Sequence, residues 1–178
     1  MTVSLADTKT VAKKLPFATR NDMSEATRKE VTAELNQTLA ELFDLQSQVK
    51  QAHWNVKGPN FFGLHKLFDE IAGTLTGPVD TVAERILTLG GFARGTVRMA
   101  AAASSLKDLP GEFRAEDIVG DIADRVAQCA KLVRVRINNT DAAGDKVTAD
   151  VLTGITATLD KGLYFLEAYQ FRGPANPV

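Results

Sequence analysis

The chain has little of what several common protein classes depend on. It has one cysteine, Cys129, so a disulfide framework within the chain is ruled out, which fits a reducing compartment. No apolar run approaches the ~20 residues that span a bilayer, and the N-terminus carries no apolar core of the signal-peptide kind. A cytoplasmic location is the default expectation. Charge of one sign is also missing. The formal net charge is -1, so the body is no polycation, and any grip on nucleic acid has to come from a local basic segment. Histidine and tryptophan are scarcer still. The two histidines, His53 and His65, and the one tryptophan, Trp54, all lie in "QAHWNVKGPNFFGLHKLFDE", residues 51–70.

What is present suits one domain with a real core: 178 residues, 44% apolar and 24% charged. Residues 1–21 stand apart. Lys9, Lys13, Lys14 and Arg20 face one acid, Asp7, a side-chain surplus of +3, and Pro16 interrupts any helix. They read as a mobile basic tail, the alternative being a docked extension with solvated lysines. Residues 22–172 form the body, and residues 173–178 a short C-terminal tail.

The body reads as helices. Asp22, with Glu25 three residues on, resembles a capping box. Val31, Leu35, Leu39, Leu42, Val49 and His53 then recur at helical steps until Gly58–Pro59. A second helix runs from Asn60 to Gly90–Gly91 on Phe61, Leu64, Phe68, Ile71, Leu75, Val79, Val82 and Ile86, with a kink expected at Gly77–Pro78. A connection over 92–114 holds a short helix near Ala100–Ala103. A third helix spans about Glu116–Thr140, on Ile118, Ile122, Val126, Cys129 and Val133. A fourth spans about Lys146–Phe171, on Val151, Ile155, Leu159, Leu163 and Leu166. No run alternates over strand length. The expectation is an all-α four-helix bundle with one long middle connection.

On the second helix, at ~100° per residue, His65, Asp69, Asp80 and Glu84 fall on one stripe if the helix continues through Pro78. His65–Asp69 and Asp80–Glu84 are i, i+4 pairs, yet Asp69 and Asp80 are separated by about 16 Å along one helix. Bonds to a transition ion are about 2 Å long, so one ion cannot join the two pairs. Either the pairs are unrelated solvated features, or each meets its complement on another copy across a two-fold axis. His53, across the Gly58–Pro59 turn, can approach the same place. Two imidazoles and three carboxylates suit a borderline-to-hard ion such as Fe(II). The Glu-x-x-His signature of a di-iron site inside one bundle is absent. Zinc accepts the same donors without redox chemistry.

The segments "AHWNVKGPNFFGLH", "FDEI" and "DTVAERILTLGG", taken with the double glycine, resemble the Dps proteins, the mini-ferritins that protect DNA in starved cells. The likeness covers about residues 24–172. It implies a ferritin-like four-helix bundle with a short extra helix between the second and third. It implies a hollow homo-dodecamer with a di-iron ferroxidase centre at each two-fold interface. His53, His65 and Asp69 would come from one subunit, Asp80 and Glu84 from its mate, with Glu84 the principal carboxylate and Trp54 beside the centre. The implied oxidant is hydrogen peroxide, with dioxygen slower. The turn "TDAAGDKVTAD" would line an iron entry pore through Asp141 and Asp150, with Lys146 where some relatives carry an acid; a capped, solvated turn is the other reading. DNA is a further implied partner, held through Lys9, Lys13, Lys14 and Arg20, which would make the protein nucleoid-associated. A shell whose site is empty or filled with zinc is the remaining alternative. Cys129 is read as a small apolar core residue without a role.

Overall fold

A computed structural model describes residues 14–112 and 117–171. The described residues form six helices and no strand: α1 (Glu25–Asn55), α2 (Phe61–Thr74), α3 (Thr76–Thr88), α4 (Val97–Ala103), α5 (Ile118–Ala142) and α6 (Lys146–Gln170). α2 and α3 together make the second arm of a four-helix bundle whose other arms are α1, α5 and α6. α5 packs chiefly on α6, while α1 meets α2, α3, α5 and the short α4. Among the described helices none is long and apolar enough to cross a membrane.

α1 starts two residues later than the Asp22 cap expected from the sequence. Its N-cap is Ser24, whose hydroxyl accepts the Thr27 amide at 3.1 Å. Glu25 is unavailable for a capping box, because its carboxylate pairs with Lys29 at 3.2 Å and accepts the Leu15 amide at 3.3 Å. The expected stripe is otherwise in place: Val31, Leu35, Leu39, Leu42 and Val49 are all buried. So are Leu64, Phe68, Ile71, Leu75, Val82 and Ile86 on the second arm, Ile118, Ile122, Val126, Cys129 and Val133 on α5, and Ile155, Leu159 and Leu166 on α6. Each such aliphatic or aromatic side chain contributes about 2 kcal/mol by leaving water. Phe61 departs from the pattern and stays exposed.

The second arm breaks at Leu75, three residues before Pro78. Proline has no N–H to offer the carbonyl of residue 74, and its ring crowds that carbonyl, so the strain falls one turn upstream. Leu75 N–H tightens onto the Ala72 carbonyl at 3.3 Å. Gln46 of α1 secures the break by donating to the Ala72 carbonyl at 3.0 Å and to the Thr76 hydroxyl at 2.9 Å.

Residues 15–21, expected to belong to a mobile tail, are docked instead. The Phe17 amide donates to the Gly90 carbonyl at 3.1 Å, and the Phe17 ring lies 6.4 Å from that of Phe92. Thr19 donates to the Thr88 carbonyl. Gly90 has φ +82, and a Cβ there would sit 2.6 Å from the Phe17 carbonyl oxygen, so the docked strap requires glycine at this turn. Residues 1–13, with Lys9 and Lys13, lie outside the described residues, as do residues 172–178.

Buried charge ties the bundle together. Glu41 of α1, fully buried, takes a two-pronged pair from Arg136 of α5 at 2.6 and 2.9 Å, and Gln37 and Ser105 donate to the same carboxylate. Arg125, also buried, donates to the Lys107 and Asp108 carbonyls and so pins the connection between α4 and α5. Cys129 packs beside Glu41. Burial first, and the Glu41 charge second, push its thiol up to about 12.

At the opposite turn, Gly144 adopts φ +89 and Asp145 caps α6 by accepting the Thr148 amide at 3.0 Å. Asp145 also takes a two-pronged pair from Arg85 of α3 at 2.8 and 2.9 Å. Burial alone would raise the Asp145 carboxyl. The Thr148 hydroxyl and amide, with the Arg85 guanidinium, outweigh it and hold the group below the usual carboxylate range. A carboxylate depressed in the folded state stabilises above its unfolded pKa of about 3.9, and that stability is lost as pH falls through the folded value. Asp145→Asn is therefore expected to cost about 3 kcal/mol at neutral pH, since it strands a mostly buried guanidinium. Its acid limb should be flatter than the parent's. Chemical denaturation at fixed subunit concentration, repeated between neutral and strongly acidic pH, measures both.

Candidate metal centre

α1 ends in the turn that carries His53, and Val56 closes it by donating to the Ala52 carbonyl at 2.9 Å. Gly58, at φ +113, reverses the chain, and the Phe61 amide donates to the Gly58 carbonyl at 3.0 Å to start α2. This reversal lays the two imidazoles on each other, with ring centroids 3.7 Å apart and planes at 21°. Phe61 tilts against the His65 ring at 5.1 Å.

The two histidines are cross-bonded. Nδ1 of His53 donates to the His65 backbone carbonyl at 2.7 Å, and Nδ1 of His65 donates to the His53 backbone carbonyl at 2.9 Å. A carbonyl oxygen only accepts, so each Nδ1 carries its proton. In the neutral ring the lone pair then lies on Nε2, the arrangement in which one histidine nitrogen is tied to the fold and the other is left as a ligand.

Asp69 follows His65 by one turn of α2, and Lys50 precedes His53 by one turn of α1. Their side chains meet at 2.7 Å. The Lys50 hydrogen bond and charge hold the Asp69 carboxyl below its ordinary value, against a weaker opposing effect of desolvation. Lys50 escaped the sequence reading. Its signal was the three-residue spacing to His53, which puts both on one face of α1.

Asp80 and Glu84 lie one turn apart on α3, exposed, and among the described residues neither carboxylate has a hydrogen-bond or ion-pair partner. Within one chain, among the described residues, no three His, Cys, Asp or Glu side chains gather closely enough to hold a metal ion. The structure thus brings His53 to His65, keeps Asp69 one turn away on Lys50, and leaves Asp80 and Glu84 apart on α3. Trp54 is 68% exposed and Phe62 70%, unusual for such large apolar side chains in a region where helices meet.

Of the other residues singled out in the sequence, Asp141 is half exposed and accepts Lys146 at 2.9 Å, and Asp150 is exposed. Lys14 and Arg20 are exposed on the docked strap. Arg85, within the AER triplet, is occupied by Asp145 and Thr148 and serves the fold.

Residues 32–172 match the family described as Ferritin-like domain, in agreement with the four-helix bundle and the helical side-chain donors. The chain is a ferritin-like protein. The DNA protection during starvation protein of Agrobacterium fabrum is 38% identical over 152 residues, covering 85% of this chain and 94% of that protein. Among solved structures, a Dps protein from Bacillus brevis is 33% identical at TM-score 0.79, covering 84% of this chain and 100% of that one. DpsC from Streptomyces coelicolor is 26% identical at TM-score 0.85, covering 95% of this chain and 100% of that one. Within the ferritin-like class, the chain belongs to the Dps family.

The cross-bonded histidines make a direct prediction. Long-range proton–nitrogen NMR spectra of a mildly alkaline, metal-free sample should show pyrrole-type Nδ1 and pyridine-type Nε2 for both His53 and His65. The free histidine side chain favours the opposite tautomer, so a pyridine-type Nδ1 in either ring would overturn the assignment.

Proposed function

We propose that the chain is the subunit of an iron-oxidising and iron-storing shell whose ferroxidase centre is completed by a second copy across a two-fold axis. DNA protection and iron storage are general properties of the family to which it belongs. The observation that carries the reading for this chain is the cross-bonded histidine pair, which leaves two Nε2 donors beside Asp69. Asp80 and Glu84 of the partner subunit would complete a set of two imidazoles and three carboxylates, with Glu84 placed to bridge two ions.

Iron is the substrate. Two Fe(II) ions held together surrender two electrons at once to hydrogen peroxide, whose O–O bond breaks to give two hydroxide ions, or water after protonation. One-electron reduction by a lone Fe(II) instead releases hydroxyl radical, so pairing the ions is what protects nearby DNA. The protein supplies donors and spacing, and the redox chemistry belongs to the metal. Dioxygen serves as the slower oxidant. Ferric product moves into the cavity of a dodecamer. Trp54, exposed next to His53 in the chain, would intercept stray oxidising equivalents. Asp141 and Asp150 would attract cations to an entry pore. Lys146, paired with Asp141, weakens that field in this chain.

The test is anaerobic Fe(II) titration of the purified oligomer followed by peroxide, with ferric absorbance and radical yield recorded together. The expected outcome is rapid oxidation at one peroxide per two irons with little radical. Glu84→Ala should slow it by at least about 100-fold if Glu84 bridges the reacting ions. Equal rates and abundant radical in parent and variant would point to a zinc-filled or inert shell.

A second function, sequence-independent DNA binding, is favoured by the exposed Lys14 and Arg20 at the root of a basic terminus. Many copies on one particle would bind phosphates by avidity and lose them in salt. This activity places the protein in the cytoplasm on the nucleoid. Deleting residues 1–13 together with Lys14→Gln and Arg20→Gln, which removes all four tail cations but spares the backbone of the docked strap, should abolish the DNA gel shift while ferroxidase activity persists. A retained shift would move the DNA contact to the helical body.

A further inference from the structure

We propose that Lys50 is a resident counter-ion of the metal centre, an ammonium that occupies the Asp69 carboxylate until a metal ion displaces it. The inference rests on the metal-centre reading given above and adds a residue that sets the centre's affinity. Its basis is local geometry. Lys50 and His53 share one face of α1 a turn apart, and Asp69 and His65 share one face of α2 a turn apart. The Gly58 reversal brings the two faces together, so the stacked imidazoles sit beside an ion pair of 2.7 Å. The ammonium therefore lies at an oxygen donor of the candidate centre, where a divalent cation would need to be.

Two consequences follow. Metal entry is an exchange of cations, so it must lose affinity equal to the strength of the Lys50–Asp69 pair. The centre is also unequal along its length, because the Asp69 side starts with its carboxylate engaged whereas Asp80 and Glu84, among the described residues, start without partners. The first ion is then held chiefly by the imidazoles and the partner subunit's carboxylates, and the Asp69 side fills second. An ordered filling keeps a single bound Fe(II) from having both positions equally open to oxidant.

Anaerobic titration with Co(II), read by its visible absorption, tests this without any redox step. Lys50→Met should tighten the weaker of two binding events about fivefold, the scale of one half-exposed ion pair, and the gain should shrink at high salt. Lys50→Arg should restore parental affinity. In an Asp69→Asn background, Lys50→Met should bring no further gain. Circular dichroism and size-exclusion profiles should match the parent throughout. An unchanged affinity in Lys50→Met, or an equal gain in the Asp69→Asn background, overturns the role of Lys50 while leaving the centre intact. A parent that binds no Co(II) saturably, or binds it equally well in His53→Ala, overturns the metal-centre reading itself and this inference with it.

Discussion

The turn between α1 and α2 has to do two things at once: reverse the chain within a few residues and bring two imidazoles into parallel contact. It succeeds because each ring satisfies a backbone carbonyl belonging to the other. The His53 carbonyl, in the last turn of α1, lacks a partner within that helix, and the His65 ring settles an otherwise open hydrogen bond there. Here the donors are the Nδ1 atoms of the same rings whose Nε2 atoms are the candidate ligands. The left-handed Gly58 makes the reversal possible. Once α2 is set against α1 in this way, the direction of the whole second arm is fixed, and with it the placement of Asp80 and Glu84 on α3. That arm leaves those carboxylates away from the histidines of their own chain, and the proposed set of donors would be completed by a second molecule.

The rest of the bundle holds that arrangement still. Gln46 spans the break that Pro78 forces in the second arm. Arg85 locks the end of α3 to the start of α6 through Asp145. Glu41 and Arg136 join α1 to α5 in the interior. Charge pairs so deeply placed add little net stability over apolar packing, but each is satisfied in one register of its two helices and costs dearly in any other. The centre proposed between two subunits would need such fixed registers, because an error of one residue in any helix would turn a ligand away from its mate.

Helix identity was legible in the sequence, because apolar spacing of three and four residues persists through every long helix. The break at Leu75 was misplaced by a few residues because proline acts on the carbonyl four residues before it, one turn from where it is written. The docked strap was weighed only as the alternative to a mobile tail, for a different reason. Pro16 and the flanking charges argue locally for a free chain, whereas the contacts that dock it, Phe17 to Gly90 and to Phe92, come from residues more than seventy positions away. The candidate ligands were legible as a stripe and as a resemblance, and their separation along the helix already showed that one ion cannot join both pairs within one chain. The tautomer of the histidines and the engagement of Lys50 with Asp69 were not legible, since both depend on the angle at which two helices meet.

Cys129 has a consequence beyond packing. Oxidants attack the thiolate, and a thiol held at about 12 offers a thiolate fraction of about one in 100,000 at neutral pH. Its sulfur is also fully buried. A subunit that handles peroxide by way of iron would therefore carry no thiol able to compete for it, no sulfenic acid to be repaired, and no thiol with which shells could become cross-linked. Its working life would be independent of any thiol-reducing partner.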